Sequence, residues 1–160
     1  MRNLYGKAAI FLLATLSATP VLSQGANFEK LTLSLGFPQN SGLVAGYTGG
    51  SYSLSSITNK DDKGKACIGF GDETPDHIMV LEQDFANLSI LVNTGGKDTT
   101  LVIQGPPGNS NQEGFRCGDD TGSNKDASVE DSNWKAGTYK IWVGSFEAGH
   151  NWDYTLTVRE

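Results

Sequence analysis

The sequence predicts an all-β protein, a single antiparallel β-sandwich of jelly-roll type. Three observations predict it. Short apolar runs alternate with period two, turn-forming clusters separate them at close intervals, and no stretch after the first 23 residues carries a helical pattern.

Read in chain order, the first segment is a leader rather than part of the fold. "MRNLYGKAAIFLLATLSATPVLSQG" opens with Arg2 and Lys7, runs apolar from Ala8 to Leu16 and closes on small residues at Val21 and Ser23. This is the pattern of a secretory signal peptide over residues 1–23, with cleavage before Gln24. The apolar run is well short of the roughly 20 residues that span a bilayer, so no membrane span is expected. The expected location is secreted or periplasmic. Loss of Arg2 and Lys7 leaves ten of the 12 basic residues against 18 acidic ones, a charge near −8 where the full sequence carries −6. That balance argues against nucleic acid or anionic lipid as a partner.

Residues 24–160 form one domain, of which 24–62 are Gly- and Ser-rich and read as a looser lead-in that adds two or three strands. There "EKLTLSLGF" alternates Leu31, Leu33 and Leu35 with Thr32 and Ser34. Within the main body, 63–160, "NLSILVN" puts Leu88, Ile90 and Val92 on one face, and "TYKIWVG" does the same with Tyr139, Ile141 and Val143. The closing "DYTLTVRE" alternates Tyr154, Leu156 and Val158 with Thr155 and Thr157. Between the runs lie "GYTGGS", "NTGGKD", "GPPGNS", "DDTGSN" and "EAGHN", composed of the residues that turns require.

The sequence contains two cysteines, Cys67 and Cys117. An even count in an oxidising compartment favours one disulfide over a reactive thiol or a metal thiolate. The bridge closes a loop for which chain entropy predicts about 4 kcal/mol of stabilisation.

Candidate chemistry is sparse. His77 and His150 are the side chains suited to act as a base near neutral pH, and neither lies in a nucleophile motif. "GGS" at 49–51 lacks the nucleophile elbow, and Ser145 falls in an expected strand. His77, in "PDH", is expected to start a strand with its imidazole bonded to a neighbouring loop, and His150 to be solvated in a turn. Two histidines outside an H-E-x-x-H arrangement argue against catalytic zinc. A thiol hydrolase built on Cys67 and His77 requires the disulfide to be absent.

The acidic stretch "CGDDTGSNKDASVED" is open to two readings. If two loops share one end of the domain, Asp119 and Asp120 converge with Asp98 of "GGKDTT" into a structural calcium site, with Asp126, Glu130 and Asp131 as further ligand candidates and Asp131 placed outside the cluster. Against this, the stretch lacks EF-hand spacing, and aspartates also serve as ordinary turn formers in a solvated, disulfide-stapled turn. No cofactor is otherwise required. The aromatic residues raise a similar choice. Trp142 alternates out of phase with Ile141 and Val143 and so leaves their face. It forms a ligand-binding surface with Trp152, stacking on sugar or a partner protein, or it is covered by a loop such as the one holding Trp152.

The ordered blocks "PDHIMVLEQDFANLSILVN", "DTTLVIQGPPG", "RCGDD", "AGTYKIWVGSF" and "DYTLTV", preceded by "GYTGGSYSLSSI", resemble the bacterial pre-peptidase C-terminal type of domain in its secreted standalone version. The resemblance covers Ser41 to Glu160. It implies a β-sandwich that accompanies exported enzymes, without catalytic residues of its own, some relatives binding calcium or polymeric ligands. The expected function is thus a non-catalytic accessory or ligand-binding domain, monomeric, whose partner is a secreted protein or a cell-surface polymer. A polysaccharide- or protein-binding module using exposed tryptophans, and a small secreted hydrolase, are the alternatives.

Overall fold

The structure, a computed structural model, describes residues 25–107 and 113–160; the expected leader, 1–23, lies outside them. The described residues form eleven strands: β1 (Leu31–Leu33), β2 (Leu43–Tyr47), β3 (Tyr52–Ser53), β4 (Phe70–Gly71), β5 (His77–Leu81), β6 (Phe85–Asn93), β7 (Thr99–Pro107), β8 (Glu113–Thr121), β9 (Asn124–Trp134), β10 (Gly137–Ser145) and β11 (Asp153–Arg159). No helix among the described residues is long and apolar enough to cross a membrane.

All-β architecture and a single domain are as expected, but the sandwich is not. The strands make one continuous sheet in the order β1-β5-β10-β7-β8-β9-β6-β11-β2, with β4 on β10 and β3 on β4. It is mixed, because β1 runs parallel to β5, pairing Leu31 with Met79 and Leu33 with Leu81. It is also nearly closed, like a barrel. Its two end strands, β1 and β2, are consecutive in sequence, and residues 34–42 alone cross from one edge to the other. Gly36 at φ 71 starts this crossing, which is why β1 stops at Leu33 and Leu35 is exposed instead of continuing the alternation. Gly42 ends it against β11, where a Cβ would lie 2.3 Å from the Val158 carbonyl oxygen. The stretch expected as a looser lead-in therefore supplies both edges of the sheet.

The alternating runs fill the interior. Leu88, Ile90 and Val92 of β6, Tyr139, Ile141 and Val143 of β10, and Tyr154, Leu156 and Val158 of β11 all belong to one buried cluster with Leu33, Phe85, Leu101, Ile103 and Trp134. A second cluster lies on the outer face, where Val102 of β7, Cys117 of β8 and Trp142 of β10 are covered by Leu54 and Cys67, with Tyr52 and Ile57 packed against them. The Cys67–Cys117 disulfide, with Cα atoms 5.3 Å apart, fastens this cover to the sheet. Trp142 is 5% exposed and its indole N–H donates to the Glu73 carbonyl at 3.2 Å. Its assignment as a ligand-binding residue is thus corrected. The outer face is roofed here, by the segment carrying Tyr52 to Glu73 rather than by the Trp152 loop.

Where β5 leaves β10, a carboxylate completes the ladder. The backbone N–H of Asp76 donates to the Ile141 carbonyl, and its Oδ2 accepts the Val143 N–H at 2.7 Å. His77 beside it is fully buried. Nδ1 lies 2.8 Å from the Glu29 carbonyl oxygen, which can only accept, so Nδ1 carries the proton and Nε2 accepts from the Tyr154 hydroxyl at 2.9 Å. Burial holds the imidazole below its ordinary pKa, in a structural role.

This packing fixes the expected outcome of three measurements. Trp142→Ala removes a buried ring and should cost about 3–5 kcal/mol, and reduction of the disulfide about 4 kcal/mol. Urea melts of both check this, and a Trp142→Ala protein as stable as the parent would show the roof to be loose. For Asp76, burial pushes the carboxyl up to about 7. Below about pH 4 the unfolded chain carries this proton as well, and between about pH 4 and 7 only the folded chain does. Stability should therefore fall as pH rises through that window, by up to about 4 kcal/mol from this group. Asp76→Asn should flatten the slope in urea melts, and an unchanged slope would assign it to other groups.

Candidate metal centre

The acidic stretch forms neither an isolated loop nor a solvated turn. It is a hairpin, β8 and β9, closed at Gly122–Ser123 with Gly122 at φ 61. The two strands read as loop because their side chains are mostly polar and the hairpin's outer surface is wet. β8 pairs with β7 up to Leu101↔Gly118 and then with β9 from Asp119↔Ser128. Gly118 is the switch point, since a Cβ there would lie 2.3 Å from the Ser128 carbonyl oxygen. Directly after it come Asp119 and Asp120, and beside them, ahead of β7, comes Asp98.

The three predicted ligands do converge. Asp98, Asp119 and Asp120 each present a carboxylate oxygen, all within 4.8 Å of one another. Asp98 also pairs with Lys125 of β9, whose side chain is 60% exposed. Asp119 is partly buried, and its Oδ1 is buried with no hydrogen-bond partner. Burial raises the Asp119 pKa, and the charges of Asp120 and Asp98 raise it further. The site thus holds more negative charge than Lys125 alone neutralises, and one oxygen is desolvated without compensation. Carboxylate oxygens are hard donors, the kind that hard cations take as ligands. The three residues could hold a metal ion.

Asp126 has a different task from the ligand role considered for it. It is 1% exposed and accepts the backbone N–H groups of Thr94 and Gly96, both at 2.9 Å, and the Thr94 hydroxyl. It therefore shapes the "NTGGKD" loop that delivers Asp98, with the Asp98 carbonyl further fixed by the Phe146 N–H at 2.9 Å. Asp131 lies apart, as expected, accepting from Lys63 at 2.6 Å and Arg116 at 2.7 Å. Arg116 also stands 4.1 Å over the Trp134 ring. Of the other proposed ligand-binding residues, Trp152 is partly buried and stacks on His150 at 4.5 Å, away from the Trp142 cluster. With both cysteines in the disulfide, His77 has no thiol to activate.

No protein-family model and no curated protein matches the chain. Among solved structures, the fold matches the pre-peptidase C-terminal domain of a collagenase from Bacillus anthracis, at 16% identity over 84% of this chain and 99% of that one, with a TM-score of 0.45. It is also similar to CorA, a surface-associated copper-binding protein important in copper acquisition in Methylomicrobium album BG8, at 8% identity over 84% of this chain and 98% of that one, with a TM-score of 0.48.

The Asp126 network predicts a local effect. Asp126→Ala leaves the half-buried backbone N–H groups of Thr94 and Gly96 without their partner and should destabilise by about 1–3 kcal/mol. Amide exchange at Thr94 and Gly96 should rise while that of the β10 amides keeps pace only with global stability. Unchanged protection of Gly96 would show that the loop holds its shape without Asp126.

Proposed function

We propose that this chain is an extracytoplasmic, non-catalytic accessory or ligand-binding domain whose β6–β7 and β8–β9 end is stabilised by calcium. The observation that carries the calcium reading is the buried, unpartnered Oδ1 of Asp119 set against the carboxylates of Asp98 and Asp120. Such an arrangement is costly without a cation. The disulfide supports an oxidising compartment. The structural bonding of His77 and the bridged cysteines weigh against a thiol hydrolase. The partner is a secreted protein or a cell-surface polymer, engaged by a monomer; burial of Trp142 removes it from that contact surface.

Thermal melts of chelator-treated protein with calcium or magnesium test the metal. Calcium should raise the melting temperature by the equivalent of about 2.7 kcal/mol at 100 times its dissociation constant. Magnesium should do so poorly, because it demands a tighter, more regular shell. Asp119→Asn and Asp120→Asn should each shrink the calcium increment. Asp131→Asn should lower the baseline, by loss of the Arg116 and Lys63 pairs, and leave the increment intact. Lys125→Met should enlarge it, since a competing cation is gone. A melting curve that calcium does not move would end the metal reading.

A further inference from the structure

A second acidic recess lies in another part of the molecule. Phe28 and Tyr47 pack edge to face with ring centroids 4.8 Å apart, and Tyr47, at 51% exposed, forms part of the wall of a cavity of about 290 Å³. Asp72, Asp76, Asn27 and Asn151 complete its polar lining. The cavity is close to the lower size of small-molecule sites.

Its chemistry is one-sided. Two carboxylates line it, and no Lys, Arg or His does so among the described residues. Asp76 is 4% exposed; its Oδ2 is committed to the Val143 N–H, while Oδ1 has Asn27 Nδ2 at 3.4 Å, a long contact to another lining residue. The ladder explains why a carboxylate or amide stands at 76. Asp72 Oδ1 accepts the Thr74 N–H at 3.2 Å and so shapes its own turn; neither bond requires two acids to share one recess with an aromatic wall. Aromatic faces carry negative quadrupole potential, so the rings and the carboxylates select the same kind of guest.

We propose that this recess is a binding site for a small organic cation, an ammonium group seated against Asp76 and Asp72 with Tyr47 and Phe28 as its aromatic wall. Burial, with Asp72 adding its charge, raises the proton affinity of Asp76, and a bound cation opposes both effects. A neutral hydroxylic ligand can donate to the same carboxylates, but it brings no charge to offset theirs.

The test is a ¹H–¹⁵N titration of the folded protein at about pH 8, above the raised Asp76 pKa of about 7. The probes are methylammonium, choline, and 3,3-dimethylbutan-1-ol, the uncharged counterpart of choline, with sodium chloride matching ionic strength. Saturable shifts at Gly49, Gly50 and Asn151 with either ammonium probe and not with the alcohol or sodium are expected. Methylammonium against choline tells a primary amine site from a quaternary one. Tyr47→Ala and Asp72→Asn, both at exposed positions, should weaken binding roughly tenfold or more, and Asp76→Asn should do the same if it folds. Binding of the alcohol as tight as that of choline, shifts that persist in Tyr47→Ala and Asp72→Asn, or no saturable shift at all would each overturn the proposal.

Discussion

The structure depends on β8 belonging to both halves of the sheet. Up to Gly118 it is a partner of β7, and from Asp119 it is a partner of β9. A strand can change neighbours in this way only if it bends sharply and lets another backbone come close. Gly118 permits this, because the Ser128 carbonyl occupies the space a side chain would need. Without the bend, β7 and β9 could not be bridged, and the sheet would part into the two layers of a sandwich. With it, one sheet curls around a single core, and the short crossing from β1 to β2 draws the remaining edges together.

The bend also explains where chemistry can sit. A strand that changes partners leaves part of its edge unpaired at the junction, and the chain fills that edge with side chains. Asp61 and Asp62 accept the N–H groups of Cys117 and Phe115 at 3.3 and 3.1 Å, and the Asp62 N–H donates to the Phe115 carbonyl. The loop carrying them is tied to β8 by the disulfide two residues from Lys65. On the other side of Gly118 the same strand turns its carboxylates toward Asp98. A covalent fastening and an acidic cluster thus flank one glycine.

Much of this was legible in the sequence, and what was not has a physical cause. The period-two runs of β6, β10 and β11 marked interior faces correctly because successive side chains along a strand point to opposite faces of the sheet. The same logic misjudged Trp142, since outward from the interior is not outward to water when another segment roofs the sheet. It extended β1 to Leu35, because alternation says nothing of the turn that Gly36 begins. β8 and β9 escaped notice as strands because Asp, Asn, Ser and Lys occupy their exposed positions. The convergence of Asp98 with Asp119 and Asp120 could be expected only as a conditional on two loops sharing one end. No spacing rule separates these ligand candidates from Asp126 or Asp131. What separates them is register, which places Asp126 under the amides of residues 94 and 96 and Asp131 beside Arg116.

The two fastenings of β8 differ in kind, and so do the regions they govern. The disulfide and the Trp142 cluster form a dry roof held by apolar burial and a covalent bond rather than by charge pairs. The acidic end is instead balanced by Lys125, a largely exposed side chain whose pairing with Asp98 is screened by solvent and ions. Asp126 keeps the backbone of the Asp98 loop in shape whether or not the charges are matched, so the carboxylates are held near one another even when that is unfavourable. A loop free to relax would disperse its charges and lose the site. Because this one cannot, the repulsion among Asp98, Asp119 and Asp120 persists in the folded protein, and relieving it is the energetic advantage a cation would bring to this end of the sheet.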